Sequence, residues 1–272
     1  MRQASSLHHH VLRAPGEAAS AFTGWSISWW RVFHFGALAL VMALSPRTYD
    51  RENRAVTAKQ IYFTAWQVLP WFTLLAALLS TVLIRIVVAT AAGYGLLQYA
   101  PELVVRVLVL ELIPLFAALF VALRSGAAIN TEVALMHIRG DFDAMQRAGG
   151  DPLRRELVPR VIGSAVSVLA LATVSGMIAL VIGYIGVYGF SPWGFDAYTR
   201  TVGLVFDLEA SLGLALKMLL FGAAVAVIPI AASLEMPREM RLAPVAVLRG
   251  MVRLFLVLVL LEGASLALTY QI

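Results

Sequence analysis

The run "VIGSAVSVLALATVSGMIALVIGYI", residues 161–185, contains no charged residue along its whole length. About 20 consecutive apolar residues in a helix are enough to cross the hydrocarbon core of a bilayer. A helix on the surface of a soluble protein would carry a polar face with helical period, and this run lacks one. The run therefore predicts a transmembrane helix, and the rest of the chain can be interpreted outward from it.

Three other runs, at 107–123, 211–232 and 251–270, have the same apolar character. The chain is 60% hydrophobic and 14% charged, and its mean hydropathy is +0.83. A large soluble helical protein is the competing interpretation, and it would need polar faces along most of its helices. We therefore expect an all-α integral membrane protein with five transmembrane helices. The predicted spans lie at about 68–95, 103–124, 161–185, 211–232 and 249–270.

The first apolar stretch, "WSISWWRVFHFGALALVMALSP" at 25–46, mixes Arg31 and His34 with three tryptophans. This mixture favours an N-terminal interfacial or re-entrant helix, and a further span is the alternative. We expect residues 1–58 to form an N-terminal tail with this helix. The first 24 residues lack an apolar core before a cleavage site, so no removable signal peptide is expected. The tract His8, His9 and His10 is interpreted as incidental.

The distribution of Lys and Arg predicts the orientation, because loops rich in these residues stay in the cytoplasm. Seven precede the first full span, six flank the section between the second and third spans, and four flank the connection between the fourth and fifth. Only Arg106 and Arg200 fall on the opposite side. We therefore expect a cytoplasmic N-terminus and a periplasmic C-terminus.

Several chemical functions are excluded or disfavoured by residue content. The chain has no cysteine, which excludes thiol catalysis, disulfides and thiolate metal sites. Outside the N-terminal tail the histidines are His34 and His137, far apart in sequence, so an intramembrane enzyme with acid–base or metal chemistry is not expected. No G-x-x-x-x-G-K-[ST] phosphate loop occurs, so this chain cannot cradle ATP by itself. We predict no catalytic residue, no metal site and no nucleic-acid partner.

The stretch "RAGGDPLRRELVPR", residues 147–160, concentrates charge in this apolar chain. Gly149 and Gly150 end one helical segment, and Asp151 is placed to cap a second helix with Pro152 at its first position. The section 137–160 is therefore predicted to be helix, break, helix. A solvated loop whose arginines only fix the topology is the alternative.

Two segments resemble the signature region of the MlaE/YrbE-type permeases of lipid ABC transporters. They are "ELIPLFAALFVALRSGAAINTEVALM" at 111–136 and "DFDAMQRAGGDPLRRELVPRV" at 141–161. The matching positions are Glu111, Leu112, Pro114, Arg124, Gly126, Ala127, Glu132, Met136, Ala144, Asp151, Pro152, Arg154, Pro159 and Arg160. Weaker matches are Gln60, Tyr62, Pro70, Lys217, Phe221, Gly222 and Glu262. The resemblance covers about residues 59–270, so 59–272 is predicted to be an MlaE-type permease domain.

The resemblance implies the partners and the roles of particular residues. It implies a permease dimer in the bacterial inner membrane, an ABC ATPase on the cytoplasmic side that binds ATP and Mg, and a periplasmic MCE-domain protein. No cofactor is expected in this chain itself. Section 137–160 would hold the cytoplasmic coupling helix, with ATPase contacts from Asp141, Asp143, Met145, Arg147, Asp151, Pro152 and Arg154. The lipid pathway would involve Arg85, Tyr94, Leu110 and Glu111, although Tyr94 could also be a plain interface anchor.

Two departures from the family pattern bear on function. The family commonly has arginine before the glutamate of its E-L-G-P motif, whereas Leu110 stands here, and Gly140 and Asp141 replace a Glu-Gln pair. The first puts the carried lipid in question, and the second the choice of ATPase. We therefore expect a permease that moves phospholipid or another apolar molecule between the membrane and the MCE partner. A divergent partner in a heterodimeric permease, or a membrane scaffold without its own lipid pathway, is the alternative.

Charged residues inside the predicted spans need partners, because an uncompensated charge there costs roughly 2.5 to 3.5 kcal/mol. We expect that Arg85 and Glu111 can pair across a tight turn at 96–102. The functional alternative is that Arg85 faces an outward-opening cavity and attracts a lipid phosphate. For Lys217 and Glu262 the sequence indicates only that each needs a partner.

Overall fold

The computed structural model describes residues 26–270. The expectations about His8 to His10 and about a signal peptide concern residues outside that range. Within it the chain is almost entirely helical and contains no β-strand, which confirms the all-α membrane fold. The α-helices are α1 (Ser26–Leu44), α2 (Arg51–Ile61), α3 (Leu69–Gly93), α4 (Ala100–Leu103), α5 (Ile113–Val121), α6 (Ala127–Arg139), α7 (Asp141–Arg147), α8 (Val158–Tyr188), α9 (Phe195–Val205), α10 (Leu208–Leu234) and α11 (Ala243–Tyr270).

Short π-helical segments join several of these helices into longer rods, and most of the 3-10 turns lie in the connections between rods. The π-helical segments are Tyr62–Trp66, Val104–Leu112, Ala122–Gly126 and Leu153–Leu157. The 3-10 turns are Pro46–Thr48, Leu97–Tyr99, Pro192–Gly194 and Met240–Leu242. A π turn takes an extra residue per turn, so it rotates the faces of the helix that follows.

Among residues 26–270, six helical rods are long and apolar enough to cross a membrane. Five of them, 53–93, 97–139, 153–188, 208–234 and 243–269, overlap the five predicted spans. The sixth is α1, for which the sequence favours an interfacial or re-entrant helix, with a further span as the alternative. Alongside α10, Ser28 meets Glu235 and Gly36 meets Val227, so the two helices run antiparallel over that stretch.

Helix α8 forms the centre of the bundle and packs against α3, α5 and α10. Gly222 of α10 lies against the backbone of Ala165, where an added Cβ would come within 3.2 Å of the Ala165 carbonyl oxygen. Small residues allow this close approach, which is the usual packing between helices in membranes. Phe221 and Leu171 are fully buried beside it.

The bundle has two ends, named here by their elements. The inner end carries α7, and the outer end carries α9 and the 93–97 turn. At the outer end Ile84 packs directly on Gly186, and Gly183 lies 3.2 Å from Val104, measured from an added Cβ. Small residues such as these glycines, in the stretch "GYIGVYG" at 183–189, allow the helices to pack closely.

Candidate functional site

A buried cluster of three charged side chains joins three of the apolar rods. Lys217 of α10 donates a short hydrogen bond to Glu111, and its Nζ lies 2.7 Å from Glu262 Oε2 on α11. All three side chains are buried or nearly so: Lys217 is 5% exposed, Glu111 is 9% exposed and Glu262 is 13% exposed. We call Glu111, Lys217 and Glu262 the charged triad. The partners that Lys217 and Glu262 were expected to need are therefore each other and Glu111.

Removing one member of the triad should destabilise the fold. Burial of ions carries a desolvation cost that only close pairing offsets, so removing one partner leaves an uncompensated charge. With all three groups ionised, two carboxylates share one ammonium. The triad then retains one negative charge in an apolar surrounding.

A cavity of about 350 Å³ lies over the triad on the outer side. Glu111, Lys217 and Leu110 line its inner part, and Arg106 is one turn farther out. Asp207 and Glu209, at the start of α10, line its mouth together with Thr269 of α11. The cavity thus combines a charged floor, an apolar wall and an acidic mouth.

Two local features of the sequence build this cavity. The π-helical segment Val104–Leu112 carries Arg106, Leu110 and Glu111, and π turns occur often at functional sites. On α10, residues 209, 213 and 217 follow the spacing of four that places side chains on one helical face. Gly213 in the middle has no atom within 4 Å of an added Cβ, so the cavity stays open there.

Of the four residues expected in the lipid pathway, the structure brings two together. Leu110 and Glu111 line the cavity, whereas Arg85 and Tyr94 are exposed on the outer part of α3 and line neither of the two cavities described here. The expected pair between Arg85 and Glu111 is wrong, because Glu111 pairs with Lys217. Among residues 26–270, Arg85 has no ion pair.

The reason for this error is height along the bundle. Ile84, next to Arg85, packs on Gly186, whereas Val109, near Glu111, packs on Gly176. The separation of those glycines along α8 corresponds to about 15 Å. Arg85 is therefore too far outward to reach Glu111.

A second cavity, of about 740 Å³, lies between α1, the inner half of α8 and the middle parts of α10 and α11. Its lining is apolar except near Trp29 and Tyr49. Lined by Val161, Val227 and Val257 among others, it carries no charged side chain. Apart from Trp29 and Tyr49, its lining offers no polar group that could confer specificity on a ligand.

At the inner end, the predicted sequence of helix, break and helix is present. Gly140 has φ +77° and separates α6 from α7, and Gly149 has φ +79° after α7 ends. Only glycine adopts such angles without strain. Asp151 Oδ1 accepts a hydrogen bond from the Leu153 amide at 3.0 Å, so it caps the next helical segment with Pro152 at the first position.

Helix α7 is fastened to the connection between α10 and α11. Arg238 Nη1 lies 2.6 Å from Asp143 Oδ2, and its Nη2 donates to Oδ1 at 3.0 Å. His137 Nε2 lies 3.1 Å from the Met236 carbonyl oxygen beside this pair. The hydrogen bond from Arg238 holds the pKa of Asp143 below its ordinary value. The pair is half exposed, so it positions α7 and adds little stability.

The other expected coupling residues lie in the same inner section. Phe142 is buried in the core and anchors α7, and Met145 packs under Gly150, 3.1 Å from an added Cβ. Asp141 begins α7, and Arg147 Nε donates to the Asp143 carbonyl oxygen at 3.3 Å. Section 137–160 therefore presents the acidic and basic side chains of α7 at the inner end of the bundle.

Arg154 connects this section with α2. Its Nη2 lies 2.7 Å from Asp50 Oδ2, and Asn53 donates to the Arg154 carbonyl oxygen at 3.4 Å. Since α2 continues through a π turn into α3, the contact joins the start of the α8 rod to the rod that reaches the outer end.

Further polar contacts were missed by the sequence analysis. Arg160, 11% exposed, pairs with Glu156 and with Glu132 at 3.1 Å, which fastens the start of α8 to α6. Ser233 donates a short hydrogen bond to Asn130. Glu132 and Arg160 both match the family motif, which was the available indication in the sequence that they matter. Asn130 and Ser233 match no motif position, so the sequence did not indicate their contact.

Comparison with known proteins gives a consistent assignment. The sequence model of the family Permease MlaE matches residues 57–268. A probable ABC transporter permease of Rickettsia prowazekii (strain Madrid E) is 27% identical over 200 residues, 71% of this chain and 73% of the relative. The MlaE permease protein of the intermembrane phospholipid transport system of Haemophilus influenzae is 29% identical over 175 residues, 62% of each chain.

Proposed function

The chain belongs to the MlaE permease family and is a transmembrane permease subunit of an ABC transporter, and we propose that its cargo is phospholipid. We propose further that the lipid passes between the bacterial inner membrane and a periplasmic MCE-domain partner. A separate ATPase supplies the energy. The cavity over the charged triad is the observation that supports phospholipid as the cargo. It combines apolar walls with charged groups that can orient a head group.

The position of the basic residues supports the proposed orientation in the membrane. The inner end carries α7 and the arginines of section 137–160, and basic loops stay in the cytoplasm. The ATPase then binds at α7 and the cavity opens to the periplasm. The N-terminus is cytoplasmic and the C-terminus periplasmic in this arrangement.

Arg85 has a separate proposed role. It is exposed on α3 near the outer end and has no ion pair among residues 26–270. A guanidinium there attracts a lipid phosphate before the lipid reaches the cavity. Arg85→Ala should lower lipid crosslinking and transport, and Arg85→Lys should retain part of both. Unchanged crosslinking and transport in both variants would remove this role.

The test of the subunit's role is co-purification from its native membrane. The tagged chain should bring down an ABC ATPase at a 1:1 ratio, together with a second permease chain. An identical second chain means a homodimer, and a different one means a heterodimeric permease. Purification of this chain without any ATPase, under conditions that keep the pair of a known relative together, would contradict the proposal.

A further inference from the structure

The outer cavity carries more negative than positive charge. Glu111 and Lys217 line the floor, and Glu262, which does not line the cavity, adds a second carboxylate through its contact with Lys217. Asp207 and Glu209 add two carboxylates at the mouth, against the single guanidinium of Arg106. Leu110, which lines the wall beside Glu111, contributes no charge. The excess of carboxylates therefore favours a ligand that brings a positive group.

The groups at the cavity are also unequally engaged. Lys217 is already held by Glu111 and Glu262, so its ammonium is a poor partner for an additional anion. Asp207 accepts the Ala210 amide at 2.7 Å and serves as the cap of α10. Glu209 has no partner among the described residues, so its carboxylate can attract a cation at the mouth.

Arg106 is the remaining cation that faces the cavity. Its Nε donates to Glu102 Oε1 at 2.9 Å, and its two terminal nitrogens have no further partner among residues 26–270. It lies between the acidic mouth and the triad, about one turn outward of Leu110. A phosphate beside Arg106 and an ammonium beside the triad carboxylates would match the order of charges.

From these observations we infer that the cavity selects lipids with an amine in the head group over anionic lipids. The ammonium of the head group cancels the excess negative charge of the triad and its phosphate faces Arg106. An anionic head group without an amine can also face Arg106, but it leaves the excess negative charge of the cavity uncompensated. This inference rests on the proposed function, because it names the class of lipid that the permease carries.

Gly213 provides a test that does not disturb the fold. It lines the cavity, and an added Cβ meets nothing within 4 Å, so a side chain can begin at this position without a close contact. The variants Gly213→Lys and Gly213→Gln differ in charge and little in length. Gly213→Lys adds a cation to the cavity, and Gly213→Gln is its matched neutral control.

Selectivity is measured by photo-crosslinking in nanodiscs of equimolar phosphatidylethanolamine and phosphatidylglycerol with identical acyl chains. A photo-reactive residue replaces Ser265, which lines the cavity, and in a parallel sample Val259, which is 66% exposed on another face of α11. Relative to the Val259 position, Ser265 should favour phosphatidylethanolamine by about tenfold, equivalent to about 1.4 kcal/mol. Gly213→Lys should abolish the preference, and Gly213→Gln should keep it.

Equal crosslinking of both lipids at Ser265, or a preference for phosphatidylglycerol, would overturn the inference and leave lipid transport intact. The same ratio in Gly213→Lys and Gly213→Gln would overturn its electrostatic basis. No crosslinking of either lipid above the Val259 position would instead contradict the cavity as a lipid site, and with it the proposed function.

Discussion

At the scale of single residues, Lys217 is the side chain on which the outer site depends most. It neutralises part of the charge of two carboxylates that come from different helices, and its own ammonium is buried. Pairs of buried charges contribute little compared with an apolar core, but a broken pair is strongly destabilising. The triad therefore fixes α10 and α11 against the rod of residues 97–139.

Lys217→Met should lower the free energy of unfolding by about 3 kcal/mol, because it leaves two buried carboxylates without their cation. Thermal unfolding of the purified protein in detergent measures this change. The triple variant Lys217→Met, Glu111→Gln and Glu262→Gln should regain most of the lost stability and still fail to transport lipid. A single variant as stable as the wild type would show that the triad is not held together by charge.

Asp143 and Arg238 give a prediction that depends on pH. Because Arg238 lowers the pKa of Asp143, their attraction stabilises the position of α7 above the ordinary Asp value of 3.8. The attraction is lost as the pH falls through the lowered pKa. The chain has no cysteine, so Gln146→Cys can carry a single spin label on α7.

The spin label should become more mobile in Arg238→Ala than in the wild type at pH 7. The difference should disappear at a pH well below 3.8, where Asp143 is protonated in both proteins. Arg241→Ala, in the same connection but without an ion pair among the described residues, is the matched control and should not change mobility. Equal mobility of Arg238→Ala and wild type at pH 7 would show that α7 is positioned by other contacts.

Residue spacing predicted some of these contacts and missed others for a physical reason. Asp151, Pro152 and Gly149 act within a few residues of chain, so their roles followed from the sequence. Glu111 and Lys217 are far apart in sequence, and Glu111 lies in a π-helical segment that shifts its face from the one a regular helix would give. The expected pair of Arg85 with Glu111 failed for a different reason, because Arg85 lies about 15 Å farther outward along the bundle.

At the scale of elements, length and hydropathy located the helices well. The uninterrupted run at 161–185 lies inside α8, and the other predicted spans overlap apolar rods. The contacts between helices were not predictable, because they depend on where small residues such as Gly222 meet a neighbour. Likewise, no periodic pattern in the sequence indicated the polar ends of α1 or its packing along α10.

The capped break before α8 gives a prediction at this scale. Asp151→Ala removes the acceptor for the Leu153 amide and should cost about 1 kcal/mol at the start of that helix. If section 137–160 couples to the ATPase, ATP hydrolysis by the purified complex should fall. Asp151→Ser, which also caps, should retain most of the activity.

Arg154→Ala tests the contact from the same section to α2. It removes the ion pair with Asp50 and should reduce lipid transport for each ATP hydrolysed, since α2 leads into α3. Asp50→Asn should have a similar effect, as the same pair is lost. Full hydrolysis and full transport in Asp151→Ala and Arg154→Ala would remove the coupling assignment.

At the scale of the whole molecule, the inner and outer ends are joined by continuous helices. α7 contacts the connection that follows α10, and α10 carries Lys217 at the floor of the cavity. Arg154 contacts α2, which leads through α3 to the outer end. A movement of α7 by a bound ATPase would therefore reach both walls of the bundle.

We propose that the transporter containing this permease uses ATP to move phospholipid. The direct measurement is transfer of a fluorescent phospholipid between proteoliposomes that hold the chain with its ATPase and acceptor vesicles that hold the MCE partner. We expect transfer that requires ATP and that falls in Arg154→Ala. Hydrolysis of ATP at the full rate with no lipid transfer above the ATP-free control would contradict it.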